Sequence, residues 1–412
     1  MNLRQLPQGY RPTQAVISLA AIKSNLALAA KISGSKVMAV VKADAYGMRV
    51  HQVIPAIHKM EECKSFAVAF AEEAVELREL LEQLGNKKDV IALEGFFSEA
   101  DLELHRKHNL VAVIHDQEQI EMLKQEKSGG GEPLSIWLKC SSGMNRLGLS
   151  PQEALAAFIW VQEQPHINLL GIMTHFAAAN REDRSVSLEQ IRHFRETLEP
   201  IWNRLAGDTN SAGTGNNLPM LSLCNSPGIV AGFSQDPFAL VTPQATSLGA
   251  DMNPQPEFIS RPGLMLYGGS PMDVDSAEDV GIKPVMELKS KLMAVRHLEK
   301  GDAVGYEGAW QAPAPGLMGV VPIGYADGYP FVETSKISQI PLLVNGRKCF
   351  LGGRVSMDML CVDLHNCPDA KVGDEVELWG NKLPIHEIAN VIGCPVQRLF
   401  SALTKRVPRI HV

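Results

Sequence analysis

The sequence contains no run of roughly 20 apolar residues, the length a helix needs to cross a bilayer, and so predicts no membrane span. It has no basic excess: 39 Lys and Arg stand against 46 Asp and Glu, giving a formal charge of −7. The basic residues are scattered, which argues against a chain built to hold nucleic-acid phosphates or anionic lipid. The opening MNLRQLPQGYRPTQ lacks the apolar core of a secretory leader, so the expected compartment is the cytoplasm. Cysteines are few and unpaired in pattern: Cys63, Cys140, Cys224, Cys349, Cys361, Cys367 and Cys394 form no C-x-x-C. They read as buried free thiols, and no metal is expected. No internal repeat is present. What remains is 412 residues of ordinary globular composition, 45% hydrophobic and 21% charged, enough for two domains and a large core.

From about residue 13 to 270, short apolar runs alternate with helical patterns. The runs are Val37–Val41, Phe66–Ala69, Val90–Leu93, Val111–Ile114, Ile136–Leu138, Leu170–Met173 and Met220–Leu223. They are continuous, as in strands buried on both faces of a parallel sheet. Between them, Ser18 caps a helix with a stripe of Leu19, Ile22, Leu26 and Ala29, and EEAVELRELLEQ and EQIRHFRETLEPIWNRL read likewise. With a short eighth strand near Phe258–Arg261, the economical solution is an α/β fold, a (β/α)8 barrel over residues 1–280. The alternative, an open doubly wound sheet, would want a Gly-rich turn after its first strand, where KADAYG stands.

After residue 280 strand-like runs follow one another without helices: Val285–Val295, Leu317–Ile323, Leu342–Val344, Cys349–Leu351, Met359–Leu364 and Val376–Trp379. Asn345-Gly346 is a two-residue hairpin signal. Residues 281–412 are therefore a mainly β domain, with a helical pattern returning only at Pro384–Leu403. Ser128–Pro133 and Gly207–Asn217 read as loops, and the Pro-rich stretch Phe233–Gln255 as a long insertion.

Lys42 ends the first strand run, VMAVVK, which points it into the mouth where barrel active sites lie. There partial desolvation favours the neutral amine that attacks an aldehyde. From position alone a lysine snorkelling into solvent is the slightly stronger reading.

The segment AVVKADAYG resembles the cofactor-lysine motif of alanine racemases, pyridoxal-phosphate enzymes of the barrel-plus-β kind. Further matches recur in order: LKCSSGMNRLGL at 138–149, GIMTHF at 171–176, NSPG at 225–228 and RPGLMLYGGSP at 261–271. AVGYEGAW at 303–310, GYADGYP at 324–330, GRVSMDM at 353–359 and RVPRI at 406–410 complete the series. The resemblance implies a homodimer using pyridoxal 5'-phosphate, with Lys42 as the Schiff-base lysine and one of two catalytic bases. Tyr306 matches the second base, reaching the active site from the partner subunit. Arg261 matches the donor to the pyridine nitrogen, and His175 the histidine packed on the cofactor ring. The amides of Gly263 and Leu264, with Ser226 and Tyr46, match the phosphate cradle. Arg146 matches the arginine beside the substrate carboxylate, and Lys139 a lysine carbamylated in many members. Met357 and Asp358 match a substrate-side pair lent across the dimer.

Three places depart from the family pattern. Met48-Arg49 follows Tyr46-Gly47 where His-Gly is usual, Glu307 stands where glycine is common, and Gln397-Arg398 replaces a Tyr-Glu pair. The smaller Gln397 implies a wider approach and tolerance of side chains such as serine. The expected activity is racemisation of alanine, supplying D-alanine for peptidoglycan. The alternatives are a serine or broad-specificity racemase, an amino-acid decarboxylase on the same fold, and a single-barrel pyridoxal-phosphate carrier. Arg261 argues against the decarboxylase, which wants an acid at the pyridine nitrogen, and the β domain argues against the carrier.

Overall fold

The computed structural model describes residues 11–126, 132–207, 218–234, 237–238, 240, 256–273 and 276–412. The expected loops at 128–133 and 207–217 and the 233–255 insertion lie largely outside these described residues. After β1 (Gln14–Ile17) come seven parallel strands: β2 (Val37–Val40), β3 (Cys63–Val68), β4 (Val90–Ala92), β5 (Val111–Ile114), β6 (Leu134–Lys139), β7 (Ile167–Met173) and β8 (Met220–Ser222). They pair in sequence order, and every residue of β2, β4 and β5 is buried. Burial on both faces is why their apolar runs are unbroken.

An eighth segment closes the sheet into a barrel. Phe258 bridges Leu221 of β8, and Ser260 bridges Val37 of β2. Met38 N–H donates to Ser260 O at 2.8 Å and Val40 N–H to Pro262 O at 3.0 Å, while Arg261 N–H reaches Cys224 O at 2.7 Å. The interior is filled by Met38, Val40, Ala67, Ile91, Val111, Val113, Trp137, Met173 and Ile259. Helices cover the outside, among them Leu19–Ser33, Ala71–Gln83 and Ser185–Gly207. The first begins where Ser18 Oγ accepts from Ala21 N–H at 3.2 Å, and buries Ile22, Leu26 and Ala29.

The second sheet has nine strands. Its later members are β9 (Met286–Lys291), β10 (Ala294–Leu298), β13 (Gly316–Val321), β14 (Pro341–Val344), β15 (Arg347–Leu351), β16 (Leu360–Asp363), β17 (Glu375–Trp379) and β18 (Arg409–His411), with β11 (Ala303–Val304) and β12 (Trp310–Gln311) forming a separate ribbon. The spatial order is β10-β13-β16-β15-β14-β17-β9-β1-β18. The run Val285–Val295 is thus two strands. The chain changes partners at Leu292, whose N–H goes to Asp374 O, and Met293, whose N–H goes to Val320 O. Asn345 (φ 49) and Gly346 (φ 77) both sit in the left-handed region and turn β14 into β15, as a type I′ hairpin requires. The helical pattern near the end resolves into Ile385–Ile392 and Val396–Ala402, interrupted by Gly393 (φ 78) and Pro395.

β1 precedes the barrel in sequence yet belongs to the β sheet, between β9 and β18. The two bodies are therefore tied by both chain ends of the described residues.

Gly171 of β7 stands opposite Trp137 of β6. A Cβ at Gly171 would collide with the Trp137 ring and lie 2.5 Å from Met220 O. Gly171→Val should therefore lower the unfolding free energy by about 2 kcal/mol or more. Urea unfolding followed by Trp fluorescence measures this, and an unchanged midpoint contradicts the packing described.

Candidate active site

Lys42 leaves β2 at the carboxyl end of the barrel and enters a turn of left-handed helix. Ala43, Asp44 and Ala45 have φ/ψ near 54°/50°, Tyr46 has φ 55, and Gly47 has φ 80. Four consecutive non-glycine residues in this region cost on the order of 4–8 kcal/mol, so their surroundings must hold them there. Glu73 takes the Ala43 and Ala69 N–H groups at 2.6 and 2.9 Å. Asp44 takes the Val50 N–H at 2.7 Å and pairs with Arg49 at 2.7 Å. Arg49 itself sits at φ 76, which explains why glycine is usual there and shows what this chain gains instead, an ion pair. Met48, the neighbouring departure, is fully buried.

Tyr46 stacks on Tyr267, ring centres 4.6 Å apart, and a Cβ on Gly263 would lie 2.5 Å from the Tyr46 hydroxyl. Burial raises the Tyr46 pKa to about 12, keeping that hydroxyl a donor. Beside it, Ser226 Oγ accepts from Gly263 N–H at 2.9 Å and Met265 N–H at 3.4 Å. Two backbone amides, a serine and a tyrosine hydroxyl thus converge where glycine keeps the approach open, which fits a phosphate group. Leu264 lies between the two amides. Met265 was not anticipated from sequence.

Arg261 is buried, not the exposed turn residue its neighbour Pro262 suggests. It donates to Ser222 Oγ and Thr174 O, with Leu223 O at 3.4 Å and His175 Nδ1 at 3.4 Å. None of these partners is a carboxylate. Burial lowers its pKa to about 10, still a cation at neutral pH. His175, two residues beyond β7, is held well below the ordinary histidine range by burial and then by Arg261, Lys139, Arg146 and Lys42. Its ring is neutral.

Lys139, the last residue of β6, is buried, and its pKa falls to about 8 through desolvation, opposed by Glu94 and assisted by Arg261, Arg146 and Lys42. Arg146 rides on a loop closed by the Cys140–Leu149 β-bridge, over a small cleft shared with Lys139, Thr174 and His175. Lys42, Lys139, Arg146, His175 and Arg261 therefore share one mouth. Tyr306 and Met357 do not join them: both are exposed on the β body, at 72% and 53%. Asp358 pairs with Arg406 at 2.6 Å. Glu307 adopts φ 61, again a glycine position, and pairs with Arg354 at 2.7 Å.

Residues 17–271 match the family model for the alanine racemase N-terminal domain, and residues 285–411 that for the C-terminal domain. The chain belongs to the alanine racemase family. It is 38% identical over 403 residues to the catabolic alanine racemase of Pseudomonas putida, covering 98% of this chain and 99% of that one. Identity to the alanine racemase of Xanthomonas axonopodis pv. citri is 39% over 403 residues, covering 98% and 97%. Among solved structures, the biosynthetic alanine racemase of Pseudomonas aeruginosa superposes with a TM-score of 0.82 at 34% identity, covering 98% of this chain and all of that one.

For a chain of the alanine racemase family, Glu73 and Glu94 are polar neighbours that sequence reasoning missed. Glu94 follows β4 by two residues, as Lys42 follows β2, so the strand-end rule could have found it. Glu73 sits in the first turn of its helix and carried no local signal of its role.

The depressed Lys139 pKa has a thermodynamic consequence. The folded state binds this proton more weakly than the unfolded chain, so it is penalised below pH about 8 and relieved as pH rises toward 10.5. In carbonate-free buffer, Lys139→Met should be more stable than wild type at pH 7, by about 3 kcal/mol at most, with the gap closing at alkaline pH. Urea midpoints at both pH values measure it, and a pH-independent gap contradicts the assignment.

Proposed function

We propose that this protein interconverts L- and D-alanine with pyridoxal 5'-phosphate held at the barrel mouth, Lys42 on one face and Tyr306 of the partner subunit on the other. The observation that carries the reading is the convergence of Lys42, the Ser226–Gly263 cradle and a buried, carboxylate-free Arg261 in one mouth. When bound, the cofactor would supply an electron sink that makes the substrate α-proton acidic, the Lys42 amine then being free to act as a base. Ser226, Tyr46 and the amides of Gly263 and Leu264 would hold its phosphate, with Met265 N–H bracing Ser226. The neutral ring of His175 would pack on the cofactor. Arg261 would direct an N–H at the pyridine nitrogen; a guanidinium keeps its proton, so that nitrogen stays unprotonated. This moderates the sink and restrains side reactions, whereas an acid there would suit decarboxylation.

Racemisation needs a proton acceptor on each face of the substrate carbon. Lys42 Nζ serves one face. Tyr306 is too exposed on its own subunit to serve there alone, which favours a homodimer in which the β domain (281–412) of one subunit completes the barrel (1–280) of the other. Met357 and Asp358 would come with it, and Arg146 would meet the substrate carboxylate as a cationic fork. Lys139, with its pKa near 8, retains enough neutral amine to take up carbon dioxide, and the resulting carbamate would orient Arg146. Enantiomers have equal free energy, so the same site serves D-alanine supply for peptidoglycan or D-alanine consumption according to the pools. No described helix is long and apolar enough to cross a membrane, and a cytoplasmic setting is proposed for that role.

A second reading, acceptance of serine, is favoured by Gln397. It lies on the Val396–Ala402 helix, which packs on the Lys42 turn, where the family usually places a tyrosine.

Tyr306→Phe should lower racemisation by about 100-fold or more while Lys42 still exchanges the α-proton of one enantiomer with deuterated water; unchanged racemisation overturns the two-base assignment. For specificity, kcat/KM for alanine and serine should differ by less than about 1000-fold, some 4 kcal/mol, and Gln397→Tyr should widen the difference. A larger preference for alanine in the wild type sinks the serine reading.

A further inference from the structure

The left-handed turn after Lys42 is held from two directions. Glu73 and Asp44 act from the barrel's own early segments. The other support comes from the far end of the chain. Arg409 Nε donates to Gly47 O at 3.2 Å, and His411 Nε2 donates to Met48 O at 2.8 Å. Three of the other four Arg409 N–H donors are spent on its own segment: Nη1 on Thr404 O and Val407 O at 2.6 and 2.8 Å, Nη2 on Leu403 O at 2.6 Å. The guanidinium is thus fixed in a ring of carbonyls with its Nε N–H aimed at the carbonyl that ends the turn. Phe400 supplies the backing: a Cβ on Gly47 would lie 2.5 Å from its carbonyl oxygen. β18, which carries Arg409 and His411, is itself pinned by parallel pairing with β1.

We propose that Arg409 and His411 are positioning residues for Lys42: the C-terminal strand clamps the two carbonyls that end the left-handed turn and so aims the lysine at the cofactor. The turn is a costly conformation for Ala-Asp-Ala-Tyr, and it is kept only while its surroundings over-determine it. A turn released at Gly47–Met48 can relax toward ordinary backbone, carrying Lys42 Nζ and the Tyr46 hydroxyl away from the cradle together. One residue at the cofactor's reactive end and one at its phosphate end are thereby set by a single strand of the other body. Arg406, on the same segment, is instead turned toward Asp358 and Asp327, so the clamp is confined to Arg409 and His411.

The proposal rests on Lys42 being the cofactor lysine, and borohydride reduction of the wild-type holoenzyme followed by peptide mass mapping checks that separately: label elsewhere overturns that reading. The clamp is tested with His411→Leu, His411→Gln, Arg409→Leu and Arg409→Lys, purified as holoenzymes. The readouts are the rate of cofactor release on dilution, the pH midpoint of the visible band of the lysine-bound cofactor, and KM for alanine. His411→Leu should release cofactor about tenfold faster and shift the pH midpoint, with KM within about twofold of wild type. His411→Gln keeps an N–H for the Met48 carbonyl and should stay within about twofold on every readout. Arg409→Leu should exceed His411→Leu, with Arg409→Lys between. Release and midpoint unchanged in His411→Leu, or equal effects for Gln and Leu, overturn the proposal. Should the Arg409 variants fail to fold, the His411 pair decides it.

Discussion

The register at which Phe258–Pro262 closes the barrel sets the distances among nearly all the groups at its mouth. Val40 N–H bonds to Pro262 O, and Arg261 N–H bonds to Cys224 O. Lys42 lies two residues past the first contact, Gly263 one residue past its acceptor, and Ser226 two residues past Cys224. A slip of one residue in a parallel pairing would exchange the faces of alternate side chains. Arg261 would then leave the interior, and the Gly263 amide would lose Ser226. The closing segment is too short to count as a full strand, yet its few hydrogen bonds align both ends of a cofactor-sized site.

What the barrel cannot supply, the β body does. The left-handed turn is stabilised by carboxylates from the barrel and by N–H donors from the end of the chain, while β1 and β18 lie side by side in the β sheet. The first and last described strands thus anchor the barrel entrance to the second sheet. The exposed Tyr306, Met357, Phe331 and Tyr325 share that sheet's body. These are the side chains that the proposed homodimer would cover.

The elements that could be read from sequence were those whose signals are local. Strands buried on both faces show as unbroken apolar runs, Ser18 announces its helix, and Asn345-Gly346 has the positive φ values its hairpin demands. The motifs named Lys42, Arg261 and Ser226 by resemblance, though their roles stay proposals. The rest depends on partners distant in the chain. Nothing in Ala-Asp-Ala-Tyr predicts a left-handed turn, since its support comes from Glu73, Arg409 and His411. Arg261 beside proline reads as exposed until Ser222 and Thr174 are seen around it. Glu307 and Arg49 occupy glycine-like backbone, each with an opposite charge at 2.7 Å that no local pattern shows. β1 carries no mark of belonging to the second sheet.

Positive charge gathers at the mouth. Lys42, Lys139, Arg146 and Arg261 gather in partly desolvated space beside a neutral His175, with Glu94 as the nearby carboxylate that counters Lys139. Burial does most to lower the Lys139 pKa, and the like charges of Arg261, Arg146 and Lys42 add to it. Each anion brought in, a phosphate at the Gly263 cradle or a carboxylate at Arg146, relieves part of that cost, and a carbamate on Lys139 would relieve more. A neutral or cationic ligand offers no such relief. The same burial and positive charge that make Lys139 a reluctant ammonium would suit the mouth to the phosphorylated cofactor and the amino-acid carboxylate proposed for it, on a protein whose overall charge is negative.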